Sequence, residues 1–434
     1  MRAIEDLRLG MMQGILMRQG SAPVAFLVGL LLSSSGGISA VYGVPYIRTA
    51  GVVLVLAVFI VSALAGRSLR KVPLALQAYL LLVVVLVAGI LHSPAPAYAL
   101  WKAFMVALYW GVFTIALYNT CPSLQAIRSL LLGLLVGGLA ETAMIYLYVG
   151  SPTEIFAGAG RFYRLELAGQ NPHDIGRVTA VSALVVTWLL MSRRRVITKL
   201  ALAPSLLVMG AYMIAARSKL AGAGFVVSLG ILVGVSGIRR KLLGVSLVLL
   251  CLLAVASAVA LALPEEFIVE GYLKTFERSF LVRIDSWRQA MTTYADGSWA
   301  DMVFGHGTGS FAHFFLGSDR QSYPHNLLVE ILFENGLVGF VLLISCLALP
   351  VAPLLNRATR KAITADAEVR SVIAIALAFY SYAVIHSQFS GDIAVNTWLP
   401  VAGGVLVTVF SSIRMRVGEA ARSAEERLHL SMSV

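Results

Sequence analysis

Charge is what this sequence has least of. Only 13% of its 434 residues are Asp, Glu, Lys or Arg, and 59% are hydrophobic. A soluble domain carries roughly twice that charge. Such a surface excludes a water-facing globule. Apolar runs of about twenty residues recur along the whole length, as membrane-crossing helices require. Cysteine is scarce too: three residues with no Cys-x-x-Cys spacing, which argues against a disulfide framework and against a zinc site. Cys251 and Cys346 lie inside apolar runs and Cys121 in a loop predicted to be cytoplasmic, all read as small core hydrophobes. His306 and His313 lack the His-Glu-x-x-His spacing, and no Asp-x-Asp occurs in the predicted outer loops. A catalytic metal is therefore not expected. There is no internal repeat and no low-complexity tract. The first apolar run shows no small-residue cleavage site and is expected to stay as a span.

What is present is an all-α, polytopic membrane pattern of about twelve spans. They are expected near 22–35, 47–65, 74–91, 102–118, 129–149, 174–192, 199–216, 219–237, 242–263, 325–354, 371–389 and 397–413. With a cytoplasmic N-terminus, 22 of the 34 Lys and Arg residues and 7 of the 22 acidic residues fall on the inner side. That side carries +15 and the remainder −3, so the net charge of +12 is a topology signal and not a nucleic-acid footprint. The predicted organisation is helices over 1–263, a large periplasmic loop with amphipathic helices over 264–324, three more spans over 325–413 and a cytoplasmic tail over 414–434. The charged stretch Glu419–His429 reads as a solvated tail, with a short amphipathic helix as the alternative. Six of the seven histidines, His92, His173, His306, His313, His325 and His386, fall outside.

The polar stretch 264–334 concentrates the chemistry. Phe276–Met291 reads as a helix whose apolar stripe is Phe276, Phe280, Trp287 and Met291, with Arg283 inside the stripe. A buried arginine needs a partner or an anion, and its planar fork suits a phosphate. Arg288 stands three residues after Asp285, so an ion pair and an anion site are equally open. Arg161 and Arg164 precede Asn171-Pro-His-Asp-Ile-Gly176, and Arg217 and Lys219 occupy a tight inter-helix turn. Such cations at a membrane edge are functional candidates, with snorkelling as the alternative. His325 follows Pro324 at the head of an apolar run, so it is predicted to sit in the first helical turn. The positive helix end would keep the imidazole neutral, as a general base requires. A packing or capping histidine is the competing reading. Gly305-His-Gly-Thr-Gly309 lacks a following Lys-Ser/Thr and reads as a tight turn for close backbone approach. Glu330 and Glu334 share a helix face pointing away from His325, where they orient the helix or pair with arginines. Glu141 is an isolated acid in an apolar run, either a structural hydrogen-bonder or a functional group.

These pieces in this order resemble a known family. Arg283-x-x-x-Trp287, Gly305-x-Gly307 and Pro324-His-Asn-x-x-x-Glu330-x-x-x-Glu334-x-Gly-x-x-Gly-Phe340 look like the O-antigen ligase and O-antigen polymerase superfamily. Asn171-Pro-x-x-x-Gly176 and Ala216-Arg-Ser218 are similar to family elements as well, and the resemblance covers about residues 150–350. Ala215-Ala-Arg-Ser-Lys219 departs from the Ser-Arg-Gly found in many relatives, which leaves Lys219 without a family precedent.

The resemblance implies a membrane-embedded GT-C-type glycosyltransferase of the bacterial inner membrane, with a periplasmic active site and both termini cytoplasmic. It implies undecaprenyl diphosphate carrying O-antigen polysaccharide as donor and lipid A–core oligosaccharide as acceptor, without a cofactor. The family's loop histidine matches His325, its loop arginine Arg283, and its Arg-Ser arginine Arg217. Arg288, Arg161, Arg164 and Lys219 join them as candidate diphosphate-binding cations. Two enzymes compete with this expectation: an O-antigen polymerase and a ligase directed at protein. From another class, a lipid-linked glycan transporter would put its charges near the bilayer midplane, whereas here they collect at one face. A non-enzymatic assembly scaffold would tolerate loss of His325.

Overall fold

The computed structural model describes residues 22–32, 47–64, 70–149, 172–192, 196–215, 219–236, 274–389 and 392–432. Among them the regular structure is helical throughout, without a strand. In chain order the helices are α1 (Ala22–Leu32), α2 (Ile47–Leu64), α3 (Leu74–His92), α4 (Pro96–Thr120), α5 (Leu124–Val149), α6 (Pro172–Ser192), α7 (Val196–Ala215) and α8 (Lys219–Ser236). Then come α9 (Lys274–Ala295), α10 (Trp299–Phe304), α11 (Phe311–Leu316), α12 (Leu327–Ala348), α13 (Arg357–Ala365), α14 (Ala367–Ser387) and α15 (Trp398–Met432). Helices stand at every predicted span except 242–263, which lies outside the described residues.

Among the described residues, seven helices are long and apolar enough to cross a membrane: α3, α4, most of α5 and α6, α12, α14, and α15 as far as Gly418. This is a polytopic helical membrane protein. α15 runs on unbroken to Met432, so the charged tail continues a helix and does not begin a separate one. The helix starts follow local chemistry. Pro96 opens α4, where its missing N–H costs nothing. Asp366 caps α14 and Asn326 caps α12, each side chain accepting two N–H groups that have no partner within the helix. Within α4, residues Ala107–Phe113 widen into a π-helical stretch, and the hydroxyl of Thr114 donates back to the carbonyl of Trp110.

Packing sorts the helix ends into two faces. At one, Ser192 and Ser371 hydrogen-bond, Ser412 reaches the Pro122 carbonyl, and Arg128 pairs with Glu368. At the other, Asp319 accepts from the N–H groups of Ala97 and Tyr98 at 2.9 Å each, capping the head of α4. Thr308 and Gly309 meet the α3–α4 hairpin there, and Ile393 meets α12. The second face gathers the amphipathic α9, the short α10 and α11, and His325.

Candidate functional site

α9 is amphipathic, but its buried line is rotated from the predicted stripe. Phe280 and Met291 are exposed, while Ala290 is fully buried and packs with Phe311 and Phe333. Arg283, Trp287 and Tyr294 are half-buried on that same side. The reason is tertiary: α9 docks on α10 and on the head of α12, and a small Ala290 fits that contact better than a bulky side chain. The Trp287 indole N–H donates to the Pro324 carbonyl at 2.7 Å, and its ring meets Phe389. This bond holds the loop before α12 one helical turn away from Arg283.

His325 is not in the first turn of α12. The helix begins at Leu327 with Asn326 as N-cap, its Oδ1 accepting from the N–H groups of Leu328 (3.0 Å) and Val329 (3.1 Å). His325 precedes the cap with φ 57°, the one non-glycine residue in the left-handed region among the described residues. That conformation costs roughly 1–2 kcal/mol per residue and marks positions where structure overrides local preference. The ring sits edge-on to Tyr323, 4.6 Å between centroids. Its pKa is brought down to about 4, first by burial and then by the Arg283 guanidinium. The direction agrees with the neutral imidazole expected from the sequence, and its causes are burial and a neighbouring cation.

The glycine turn is a backbone-to-backbone clasp, as its composition implied. The N–H of His306 donates to the Phe333 carbonyl (3.0 Å) and that of Gly307 to the Glu334 carbonyl (2.9 Å). These carbonyls are free because α12 is broken at Gly336, with φ 63° and ψ −163°. A Cβ on Gly305 would lie 2.3 Å from the Asn335 N, and one on Gly336 2.4 Å from the Val303 carbonyl. Only glycine permits that approach. Thr308 adds side-chain bonds to the Leu86 carbonyl (2.7 Å) and from the Asn335 amide (2.9 Å). The His306 ring lies between those of Phe314 and Phe333, tilted against each, and 3.8 Å from Asp301. Burial lowers its pKa against the opposing pull of Asp301.

Beneath the turn lies a cluster that sequence reasoning missed. Lys102 of α4 is fully buried, with its ammonium 2.5 Å from Glu330 and 2.7 Å from Glu334. Both carboxylates are fully buried as well. Glu334 also accepts from the N–H of Gly309 (2.8 Å) and Glu330 from that of Ile393 (3.1 Å). Tyr98 donates its hydroxyl to Asp392, whose carboxyl is pushed up to about 7 by burial, and the Tyr98 ring stands 5.7 Å from the Lys102 ammonium. The two glutamates thus pair with a lysine, not with arginines. The available signal was one lysine in an apolar run, which demands a counter-ion.

The remaining candidates divide. Arg283 and His325 come together. Arg288 is exposed and, among the described residues, makes no ion pair with Asp285. Lys219 opens α8. Arg161, Arg164 and Arg217 lie outside the described residues. Glu141 in α5 and Arg177 in α6 are both buried within spans, and the second was not singled out from sequence.

Residues 204–344 match a family model described as O-antigen ligase. The match bears out the resemblance to that superfamily over the stretch that contains Arg217, Lys219, Arg283, Arg288 and His325. A comparison with curated proteins found no match.

Proposed function

We propose that this protein is an O-antigen ligase of the bacterial inner membrane. It transfers O-antigen polysaccharide from undecaprenyl diphosphate to a hydroxyl of lipid A–core oligosaccharide on the periplasmic side, with both termini cytoplasmic. The coarse part rests on firm ground: a multi-pass helical membrane protein bearing an O-antigen ligase family match, which supports ligase- or polymerase-type glycosyl transfer. The finer reading is ours, and it is carried by the placing of His325: the Trp287 indole holds Pro324 beside the helix that bears Arg283, whose guanidinium acts on the imidazole.

In this reading the acceptor hydroxyl attacks the anomeric carbon. The carbon–oxygen bond to the diphosphate breaks, its electrons leave with the phosphate oxygen, and His325 takes the hydroxyl proton. A single displacement inverts the anomeric centre. Arg283, with Arg217, Arg161, Arg164, Arg288 and Lys219 as further candidates, neutralises the departing diphosphate in place of a metal ion. Burial and Arg283 both oppose an imidazolium, so the empty site holds a weak base. A diphosphate on Arg283 cancels that cation, and the affinity of His325 for a proton rises as the donor binds. The base is strengthened when it is needed.

The test is reconstitution of the purified chain in liposomes with undecaprenyl-diphosphate-linked glycan and lipid A–core. Glycan joined to lipid A–core, and its loss with His325→Ala, supports the reading. Longer glycan on the carrier with no modified lipid A–core would make the protein a polymerase instead. Full transfer by His325→Ala would remove the base.

A further inference from the structure

We infer that Lys102 is a positioning residue for this transfer: one ammonium, holding Glu330 and Glu334 together, sets the head of α12 and therefore His325 against Arg283. The inference rests on the reading of His325 as the base.

Stability alone does not account for three buried charges. An apolar trio of similar volume serves a core as well or better, because desolvating the ions cancels most of their attraction. What the trio adds is direction. Lys102 ties α4 to both glutamates of α12 at 2.5 and 2.7 Å. Glu334 passes the tie to the glycine turn through Gly309, and Glu330 passes it to the 392–397 turn through Ile393. Four separate pieces of chain meet around one nitrogen.

His325 is close to this junction along the helix. The N–H of Glu330 donates to the Asn326 carbonyl at 2.9 Å, the first bond of α12, and His325 immediately precedes Asn326. From the other side Trp287 holds the Pro324 carbonyl, one turn along α9 from Arg283. The histidine is thus suspended between two anchors, one on α9 and one in the membrane. Losing the membrane anchor lets it drift from Arg283. A displacement of about 1 Å in a reacting group lowers rate roughly 10²-fold.

The cation acting on His325 is Arg283 of α9, and Tyr323 is its ring neighbour. A change in His325 titration on removing Lys102 therefore reports movement and not the loss of an adjacent charge. The experiment uses the full chain in detergent and two variants, Lys102→Met and the charge-free Lys102→Met/Glu330→Gln/Glu334→Gln. Diethyl pyrocarbonate acylates neutral imidazole, and peptide mass spectrometry follows the reaction at His325 as pH is varied. The parent midpoint is expected near about 4. In both variants it should rise by about one unit or more toward the ordinary histidine value, with kcat down about 10²-fold and the donor KM nearly unchanged. A parental midpoint in folded variants overturns the inference, and so does a parental kcat alongside a moved midpoint. If Lys102→Met fails to fold, the charge-free variant carries the measurement, since it leaves no carboxylate pair without its cation. If the parent transfers no glycan, the functional reading falls while the midpoint still decides whether Lys102 positions His325.

Discussion

The indole N–H of Trp287 donates to the carbonyl of Pro324 at 2.7 Å, joining the helix that carries Arg283 to the residue just before His325. Trp287→Phe keeps a six-membered aromatic ring but removes the pyrrole ring and its N–H donor. We expect a stability loss of about 1 kcal/mol and a larger fall in kcat than in donor affinity. Melting in detergent and steady-state transfer kinetics check this. Unchanged kcat would mean that the bond does not position the site.

Burial and the Arg283 guanidinium hold the His325 pKa low in the donor-free enzyme, so kcat/KM should persist well below neutral pH. Its folded pKa of about 4 lies under its ordinary value of 6.5. Above pH 6.5 both folded and unfolded forms are neutral and the group contributes nothing to pH dependence. Between pH 6.5 and 4 the unfolded chain gains a proton that the native chain refuses, so stability falls through that window and levels off below it. His325→Asn should flatten this acid limb of the melting profile. An equally steep limb in the variant would assign it to other groups.

Arg283→Ala removes the second of the two causes that depress His325, leaving burial in force. The midpoint should rise yet stay below 6.5, and the donor KM should increase, by about tenfold for one lost charge-assisted contact of about 1.4 kcal/mol. An inorganic diphosphate titration of the parent should move the midpoint the same way, because the anion cancels the same cation. A midpoint insensitive to both manipulations would separate Arg283 from the histidine.

Gly305→Ala forces a Cβ to within 2.3 Å of the Asn335 nitrogen at a φ of 78°. The clasp between the turn and the break in α12 should open, at a cost of about 2 kcal/mol or more. Gly317→Ala is the control, since its φ of 60° is left-handed too but a Cβ there meets nothing within 4 Å. Equal loss in the two variants would mean that backbone conformation, not the close approach, sets the cost.

Chelation separates a cation-based from a metal-based leaving-group site. Transfer by the parent should survive excess EDTA and dialysis within about twofold, given guanidinium groups in the metal's role. Loss in EDTA restored by a divalent ion would sink the arginine assignment.

Much of the architecture was legible because hydropathy is written in local sequence. A run such as 74–91 has no choice but to be a helix in a bilayer, and its limits came out within a residue or two of the observed Leu74–His92. The glycine turn was legible for a related reason: Gly305, Gly307 and Gly309 all take positive φ, a preference each residue carries with it. The buried side of α9 was legible only in part: Arg283 and Trp287 of the expected stripe are half-buried, but Phe280 and Met291 are exposed. Phe280 and Met291 outrank Ala290 in hydrophobicity, yet Ala290 is the one inside, because the partner surface of Phe311 and Phe333 selects for size. His325 was placed in a helix from its proline neighbour, but the cap went to Asn326, whose side chain competes better for the first N–H groups.

By its own composition, then, the chain determined that it would live in a membrane as a set of helices and that its polar chemistry would concentrate late in the sequence. Those outcomes depend on one residue's transfer free energy at a time. Which charges would meet was decided only by folding. Lys102 lies 228 residues before Glu330 and 232 before Glu334, and no local pattern links them until the fold brings the Lys102 ammonium of α4 to the two carboxylates of α12. A lone ion in an apolar interior is intolerable, so the need for a partner is a local fact. The partner's identity is a property of the assembled bundle.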